Sequence, residues 1–320
     1  MDRIEQASLG RWSTKRPMRI ARSHFGSAVF QGRIYVFGGG GEGFRSLNQV
    51  EIYDPPADQW TEGREMPTTR SGAVAVTLNG RIYVMGGGFR EADGTFRFLR
   101  TVEIYDPLEN LWESGPDLLQ SHDAPAATLL DGRIFLLGGH HPEAKGGPLS
   151  DPAFPVCEQF NERSGRWQEI PPMPTPRFSL VALSWGGKVL AMGGGAFTGR
   201  EFTNHDRVEE YDPDKRSWSD SRLTLPWRAA GPGAALFGGG ILLCGGNNGK
   251  AIQRRAALYD PIDERWTELA VMPEARAVMA ALSIGETLYI VGGRDATGKA
   301  PVNTVFAFEE GKIRSNDTAL

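Results

Sequence analysis

Six side chains able to bind an anion or move a proton recur at one place in an internal repeat. Ten residues after Trp12, Trp60, Trp112, Trp167, Trp218 and Trp266 stand Arg22, Arg70, His122, Arg177, Arg228 and Arg276. A guanidinium is a bidentate partner for carboxylates and phosphates, so a ring of such donors would attract an anion. The same arginines could instead pair with a carboxylate of their own repeat, at Glu51, Glu103, Glu158 or Glu209. The two readings are compatible, because a paired guanidinium keeps N–H groups to spare. His122 breaks the arginine pattern beside Asp123, and His24, His140, His141 and His205 fall in or next to the same stretches. With Glu201 and Asp206 nearby, acid–base chemistry or a metal site is one reading and solvated loop histidines the other. Cys157 and Cys244 each lie in an apolar run and read as small core residues rather than a disulfide framework. No HExxH or CxxC pattern occurs, so neither metal nor cofactor is expected.

A repeat must position these residues. A double glycine closes an apolar run at Gly38, Gly86, Gly138, Gly193, Gly245 and Gly292, with spacings of 48, 52, 55, 52 and 47 residues. Every repeat tryptophan after Trp12 follows an aromatic by seven residues, at Tyr53, Tyr105, Phe160, Tyr211 and Tyr259. Each unit reads as four short strands, such as SGAVAVTL, RIYVMGG, TVEIYDP and NLWESG, joined by turn signals like Asn79-Gly80 and Asp106-Pro107. Gly38, Gly40 and Gly43 spell a GxGxxG pattern, but no helix or βαβ unit follows to make it a dinucleotide fingerprint.

A period near 50 residues with a Gly-Gly pair, a Tyr-Asp-Pro turn and a tryptophan resembles the kelch repeat, over nearly the whole chain. The resemblance implies an all-β, six-bladed kelch β-propeller with four-stranded blades, a single domain over residues 1–320. The last Gly-Gly is followed by NTVFAF without a tryptophan-bearing fourth strand. Trp12 supplies it, so residues 8–14 should complete the blade formed by 277–308 and close the ring.

From each tryptophan to the next Gly-Gly the distance is 26 residues five times and 27 once, from Trp218 to Gly245. From the second glycine to the next aromatic it varies, 14, 18, 21, 17, 13 and, counting Phe308, 15 residues. The insertions therefore lie in one loop, between second and third strands, on one face of the ring. The longest, 88–100, 140–155 and 195–207, belong to consecutive blades and should flank the channel mouth, with Phe89, Phe96 and Phe197 available to shape a pocket. The short loops at GNNGK and RDATGK would leave the opposite side open.

Lys plus Arg is 35 against 39 Asp plus Glu, a net charge of −4, which argues against nucleic acid or a membrane surface as partner. No apolar leader or membrane span is visible, and the expectation is a cytoplasmic monomer. With Trp12 already in the propeller, no adaptor domain is expected ahead of it. Kelch propellers serve more often as binding scaffolds than as enzymes. The resemblance thus implies recognition of an anionic small molecule or acidic peptide at the channel mouth, over Arg22, His24, Arg70, Phe89, Asp123, His140, Arg177, Phe197, Arg228 and Arg276. The alternative is a small-molecule isomerase, epimerase or cyclase using His122, His205 and Asp206 for proton transfer. That alternative draws on LYIVGGRDATGKAPVNTV, which is similar to the closing segment of a bacterial sialic-acid epimerase of the family. A copper oxidase of the galactose-oxidase type, which needs a reactive Cys-Tyr crosslink, fits poorly. The ExxxDxxxH iron pattern of some plant kelch proteins is absent.

Overall fold

Short β-rich segments separated by glycine turns leave each sheet with two faces to cover, and stacking such sheets around an axis covers both. In the computed structural model the described residues are 10–140, 153–198 and 201–311. They form an all-β six-bladed propeller of four-stranded antiparallel sheets. The first blade is built from Gly26–Phe30, Arg33–Gly40, Ser46–Asp54 and Gln59–Gly63, paired in that order. Blades 2 to 5 repeat the pattern, beginning at Ser71, Ala126, Val181 and Gly233. Blade 6 takes Ala280–Ile284, Thr287–Val291 and Val305–Glu309 from one end of the chain and Arg11–Lys15 from the other. Trp12 lies opposite Phe308 in that pairing, the ring closure expected from the orphan tryptophan; residues 8 and 9 lie outside the described residues.

The recurring aromatic and tryptophan are cross-strand partners, Tyr53 opposite Trp60 and Tyr211 opposite Trp218, for example, with ring centroids 5.0 and 5.3 Å apart. Every repeat tryptophan also donates its indole N–H to a carbonyl in the connection leaving the preceding blade. Trp60 reaches Arg16, Trp112 reaches Arg64, Trp167 reaches Pro116, Trp218 reaches Pro171, Trp266 reaches Thr224 and Trp12 reaches Ala270, all at 2.7–2.9 Å. One side chain thus fills the blade and ties it to its neighbour. Cys157 and Cys244 are wholly buried in apolar clusters, where burial pushes both thiols up to about 12, so they pack as small hydrophobes.

The Gly-Gly pairs have a specific task. Both residues of each pair lie at positive φ, and the second donates its N–H to a carbonyl at the start of the next blade's first strand. Gly39 bonds Arg70, Gly87 bonds His122, Gly139 bonds Arg177, Gly194 bonds Ala229, Gly246 bonds Arg276 and Gly293 bonds Arg22. A Cβ on Gly38 would stand 2.6 Å from that carbonyl, so no side chain is tolerated there.

The six first strands line a central channel of about 550 Å³. At one mouth a second cycle of backbone hydrogen bonds joins the blades. Gly72 donates to His24, Ala124 to Gly72, Ser179 to Ala124, Gly231 to Ser179, Val278 to Gly231 and His24 to Val278, over 2.7–3.4 Å. All six residues have φ between 48° and 71°, which is costly for Val278 and His24 and accepted because the ring demands it.

If Trp12 latches the ring, Trp12→Ala should cost about 3 kcal/mol and removal of residues 1–16 considerably more. Thermal unfolding of the two variants checks this, and a truncated protein as stable as the full chain would show that closure does not depend on this strand.

Candidate functional site

The mouth ring and the loops between second and third strands share one face, because the residue after each Gly-Gly bridges back to the residue before a mouth-ring position. Ser23 meets Gly40, Asp123 meets His140, Phe178 meets Gly195, Ala230 meets Asn247 and Ala277 meets Arg294, while Ser71 meets Gly88 within blade 2. The bases of the three long loops therefore rise around one mouth. In blade 2 the second strand runs on to Arg90 and pairs with Phe96–Phe98. In blade 4 Gly195–Thr198 and Glu201–Asn204 make a separate hairpin. Most of 140–155, with His141, lies outside the described residues.

The arginines expected to face this mouth turn inward. Arg22, Arg70 and Arg177 have no exposed surface and Arg276 has 1 %. Arg22 bonds the Gly38 carbonyl at 2.9 Å and Glu51 at 2.5 Å. Arg70 bonds Gly86 at 3.0 Å and lies 3.1 Å from Glu103, and Arg177 lies 3.1 Å from Glu209. Burial lowers all three of these guanidinium pKa values, and for Arg22 and Arg70 the paired carboxylate opposes that shift most strongly. These guanidinium groups lie inside the blades rather than at the mouth surface, and the Nε of each of Arg22, Arg70, Arg177 and Arg276 has no hydrogen-bond partner among the described residues.

His122 occupies the same slot in blade 3, unexposed, with Nδ1 2.7 Å from the Gly138 carbonyl and Nε2 3.2 Å from Glu158. The imidazole is thus held inside blade 3 in the way the arginines are held in theirs.

Arg228 is a register correction. The extra residue between Trp218 and Gly245 puts Ala229, not Arg228, on the Gly194 N–H. Arg228 is left in solvent, 3.9 Å from Asp206. Blade 5 also has Ala257 where blades 1 to 4 carry the glutamate. With no carboxylate to meet, the guanidinium is replaced by Trp227, whose indole N–H donates to the Gly245 carbonyl at 3.0 Å. In blade 6, Phe306 takes the glutamate position; Arg276 lies 5.6 Å from its ring and pairs with Glu274 and Thr304 instead.

His205 fills the place over the buried pair that Leu47, Leu99 and Phe154 fill elsewhere. Burial lowers its pKa, with Arg177 adding to the effect, and its Nε2 has no hydrogen-bond partner among the described residues. Asp206 faces Arg228 rather than His205. The structure therefore does not assemble His122, His205 and Asp206 into one centre. Phe89 lines a crevice of about 890 Å³ between blades 1 and 2, with Phe44 and Thr68. Phe96 packs beside Phe98.

What does gather at the mouth is a different set. Among the described residues lining the channel, His24 is the one ionisable group. Its Nδ1 is 2.9 Å from the Ser23 hydroxyl and its ring meets Phe44 edge-on at 5.3 Å. Burial, reinforced by Arg294 and His140, holds its pKa down at about 3. The Arg294 guanidinium lies 5.0 Å from the centre of the same Phe44 ring and donates to the Gly298 carbonyl at 2.7 Å. His140 stacks on Phe178 at 3.7 Å, and Phe197 and Phe202 stand behind Phe178 at 6.3 and 5.5 Å. The Asp123 carboxylate lies over Gly72, so close that a Cβ there would be 1.9 Å from it. Arg294, Phe44, Phe178, Phe202 and Trp227 were missed by sequence reasoning. The signal for Arg294 was available: the residue after Gly-Gly runs Gly40, Gly88, His140, Gly195, Asn247 and Arg294.

The profile of the Kelch motif matches residues 21–67 and 69–119, the same register that places Arg22 and Arg70 at the start of a unit. Two matches to the Kelch motif and a six-bladed propeller fold are thus present together in this chain. This propeller is 31 % identical to Kelch-like protein 25 of Xenopus tropicalis over 199 residues, 61 % of the chain and 32 % of that protein. It is 26 % identical to Kelch-like protein 36 of Bos taurus over 278 residues, 84 % of the chain and 43 % of that protein. The chain thus spans less than half the length of these curated relatives. The solved structure of YjhT superposes with a TM-score of 0.75 at 16 % identity, covering 91 % of this chain and 95 % of that one, a likeness of fold. Among the described residues no helix is long and apolar enough to cross a membrane.

Two outcomes follow from this kelch geometry. Glu103→Ala strands a buried guanidinium and should cost about 3–5 kcal/mol in urea unfolding, whereas Arg70→Met with Glu103→Leu should recover most of it, as blade 5 does without an ion pair. His24 is neutral in the folded protein while its unfolded counterpart takes a proton below about 6.5. Folding stability should therefore fall as pH drops from about 6.5 towards 3, and His24→Asn, tolerated at positive φ, should flatten that slope.

Proposed function

We propose that this kelch propeller is a binding module whose loop face captures an anionic ligand, an acidic peptide segment or a small acidic metabolite. The observation that carries the reading is the charge of the loops beside the mouth. Those of blades 5 and 6 carry Lys250, Arg254, Arg294 and Lys299 against the single acid Asp295, in a chain whose net charge is −4. Asp295 is turned onto its own loop by Thr297. The channel beneath is walled by small and apolar residues such as Ala75, Ala127, Ala182 and Ala234, so the charge recognition belongs to the rim. Of the residues expected from sequence, His24, Asp123, His140 and Phe197 remain at this mouth as proposed contacts. The curated relatives' shared kelch units fit a scaffold role, and without a convergent acid–base pair among His122, His205 and Asp206 the isomerase reading has no geometric support.

A labelled hexaglutamate peptide should bind the propeller with an affinity that falls as salt rises, while hexalysine should not bind. Lys250→Glu with Lys299→Glu should weaken hexaglutamate at least about tenfold, read by fluorescence anisotropy. Equal binding of both peptides, or no effect of the reversal, would remove the reading.

A further inference from the structure

The mouth has two poles. Blades 6 and 1 supply a cationic one, and blades 3 and 4, across the ring, supply an aromatic one. At the first, Arg294 is held in place without being neutralised. Phe44 supports its face, the Gly298 carbonyl takes Nη1, and Nε is buried with no hydrogen-bond partner. Among the described residues Arg294 makes no ion pair. This distinguishes it from Arg22, Arg70 and Arg177, whose charges are matched inside the blades. His24 stands next to it as a neutral imidazole, fixed by Ser23 and by the same Phe44 ring.

The other pole is an aromatic wall. His140 lies flat on Phe178, and Phe197 and Phe202 pack at 5.1 Å from each other behind it. Phe202 is 37 % exposed, so part of this wall is open to a ligand. Asp123 lies beneath this pole and turns its carboxylate over Gly72. An anion entering the mouth is therefore drawn to Arg294 in blade 6.

We infer that the mouth is a site for a small amphipathic acid, its carboxylate on Arg294 beside His24 and its ring or aliphatic body against His140, Phe197 and Phe202. This rests on the reading of the loop face as an anion-binding surface and narrows it to one ligand class. A carboxylate suits a guanidinium that gives Nη1 to the Gly298 and Lys299 carbonyls and makes no hydrogen bond through Nη2 among the described residues, and a flat apolar body suits the stacked imidazole and phenyl rings. A purely polar anion would leave the aromatic wall unused, and a neutral apolar molecule would leave the Arg294 charge unanswered.

The test uses 4-phenylbutyrate, its neutral amide and acetate, titrated calorimetrically into the full chain. The acid should bind at least about tenfold more tightly than either control. Arg294→Gln should erase the preference for acid over amide, and Arg294→Lys should restore part of it. Phe202→Ala should erase the preference over acetate, leaving the thermal midpoint unchanged. Equal affinity for acid and amide, or a preference untouched by Arg294→Gln, overturns the inference. If hexaglutamate binds in the charge-dependent manner above and 4-phenylbutyrate does not, the inference falls and the anion-binding reading stands. If neither binds, both fall.

Discussion

Each blade hands one backbone carbonyl to the blade before it, and most of the architecture depends on that contact. The carbonyl at the start of a first strand lands on the second glycine of the preceding Gly-Gly, six times around the ring. It can land there because neither glycine has a side chain and both take positive φ. Once these six contacts are set, the next two residues of each first strand are brought to the axis, where a second cycle of backbone hydrogen bonds forms the mouth. The left-handed conformations of His24, Ala124, Ser179 and Val278 are a consequence of this second cycle.

The buried side chain at the docking residue secures the same joint from within its own blade. Arg22, Arg70 and His122 each bond the first glycine carbonyl of their repeat and face a third-strand glutamate. The glutamate also holds the incoming connection, as Glu158 does by accepting from the Leu119 and Gln120 amides at 2.9 and 2.8 Å. Blade 5 shows that the arrangement is one solution among several. There, glutamate, arginine and ion pair are all absent, and Trp227 supplies the single donor that the Gly245 carbonyl needs. What is required is satisfaction of that buried carbonyl, and a charge is only one means to it.

Because the frame is nearly sixfold, any binding specificity must come from where the blades differ. The position after Gly-Gly is glycine in three blades and His140, Asn247 and Arg294 in the others. Those three face one small mouth, joined there by His24. Neighbouring loops also touch across two junctions, Asn204 to the Asn247 carbonyl between blades 4 and 5 and Arg294 to Phe44 between blades 6 and 1.

Strand content, blade number, ring closure and the face carrying the long loops were legible in the sequence, because each depends on local spacing. Gly-Gly, Tyr-Asp-Pro and tryptophan mark turns and cross-strand pairs whose partners lie within a few residues or one repeat. Side-chain direction was left open: pairing with Glu51, Glu103, Glu158 and Glu209 was one of two readings, and only the structure shows Arg22, Arg70, His122 and Arg177 taking it. The count that aligned Arg22 with Arg70 and Arg177 was right, yet whether a guanidinium points to the axis or into its blade depends on a glutamate about 30 residues away and on the next blade's packing. The same count failed at Arg228, where one inserted residue moved Ala229 into the frame and Arg228 into solvent. Only the closed ring placed Arg294 and His24 against the same Phe44, because residues 250 positions apart become neighbours when the last blade meets the first.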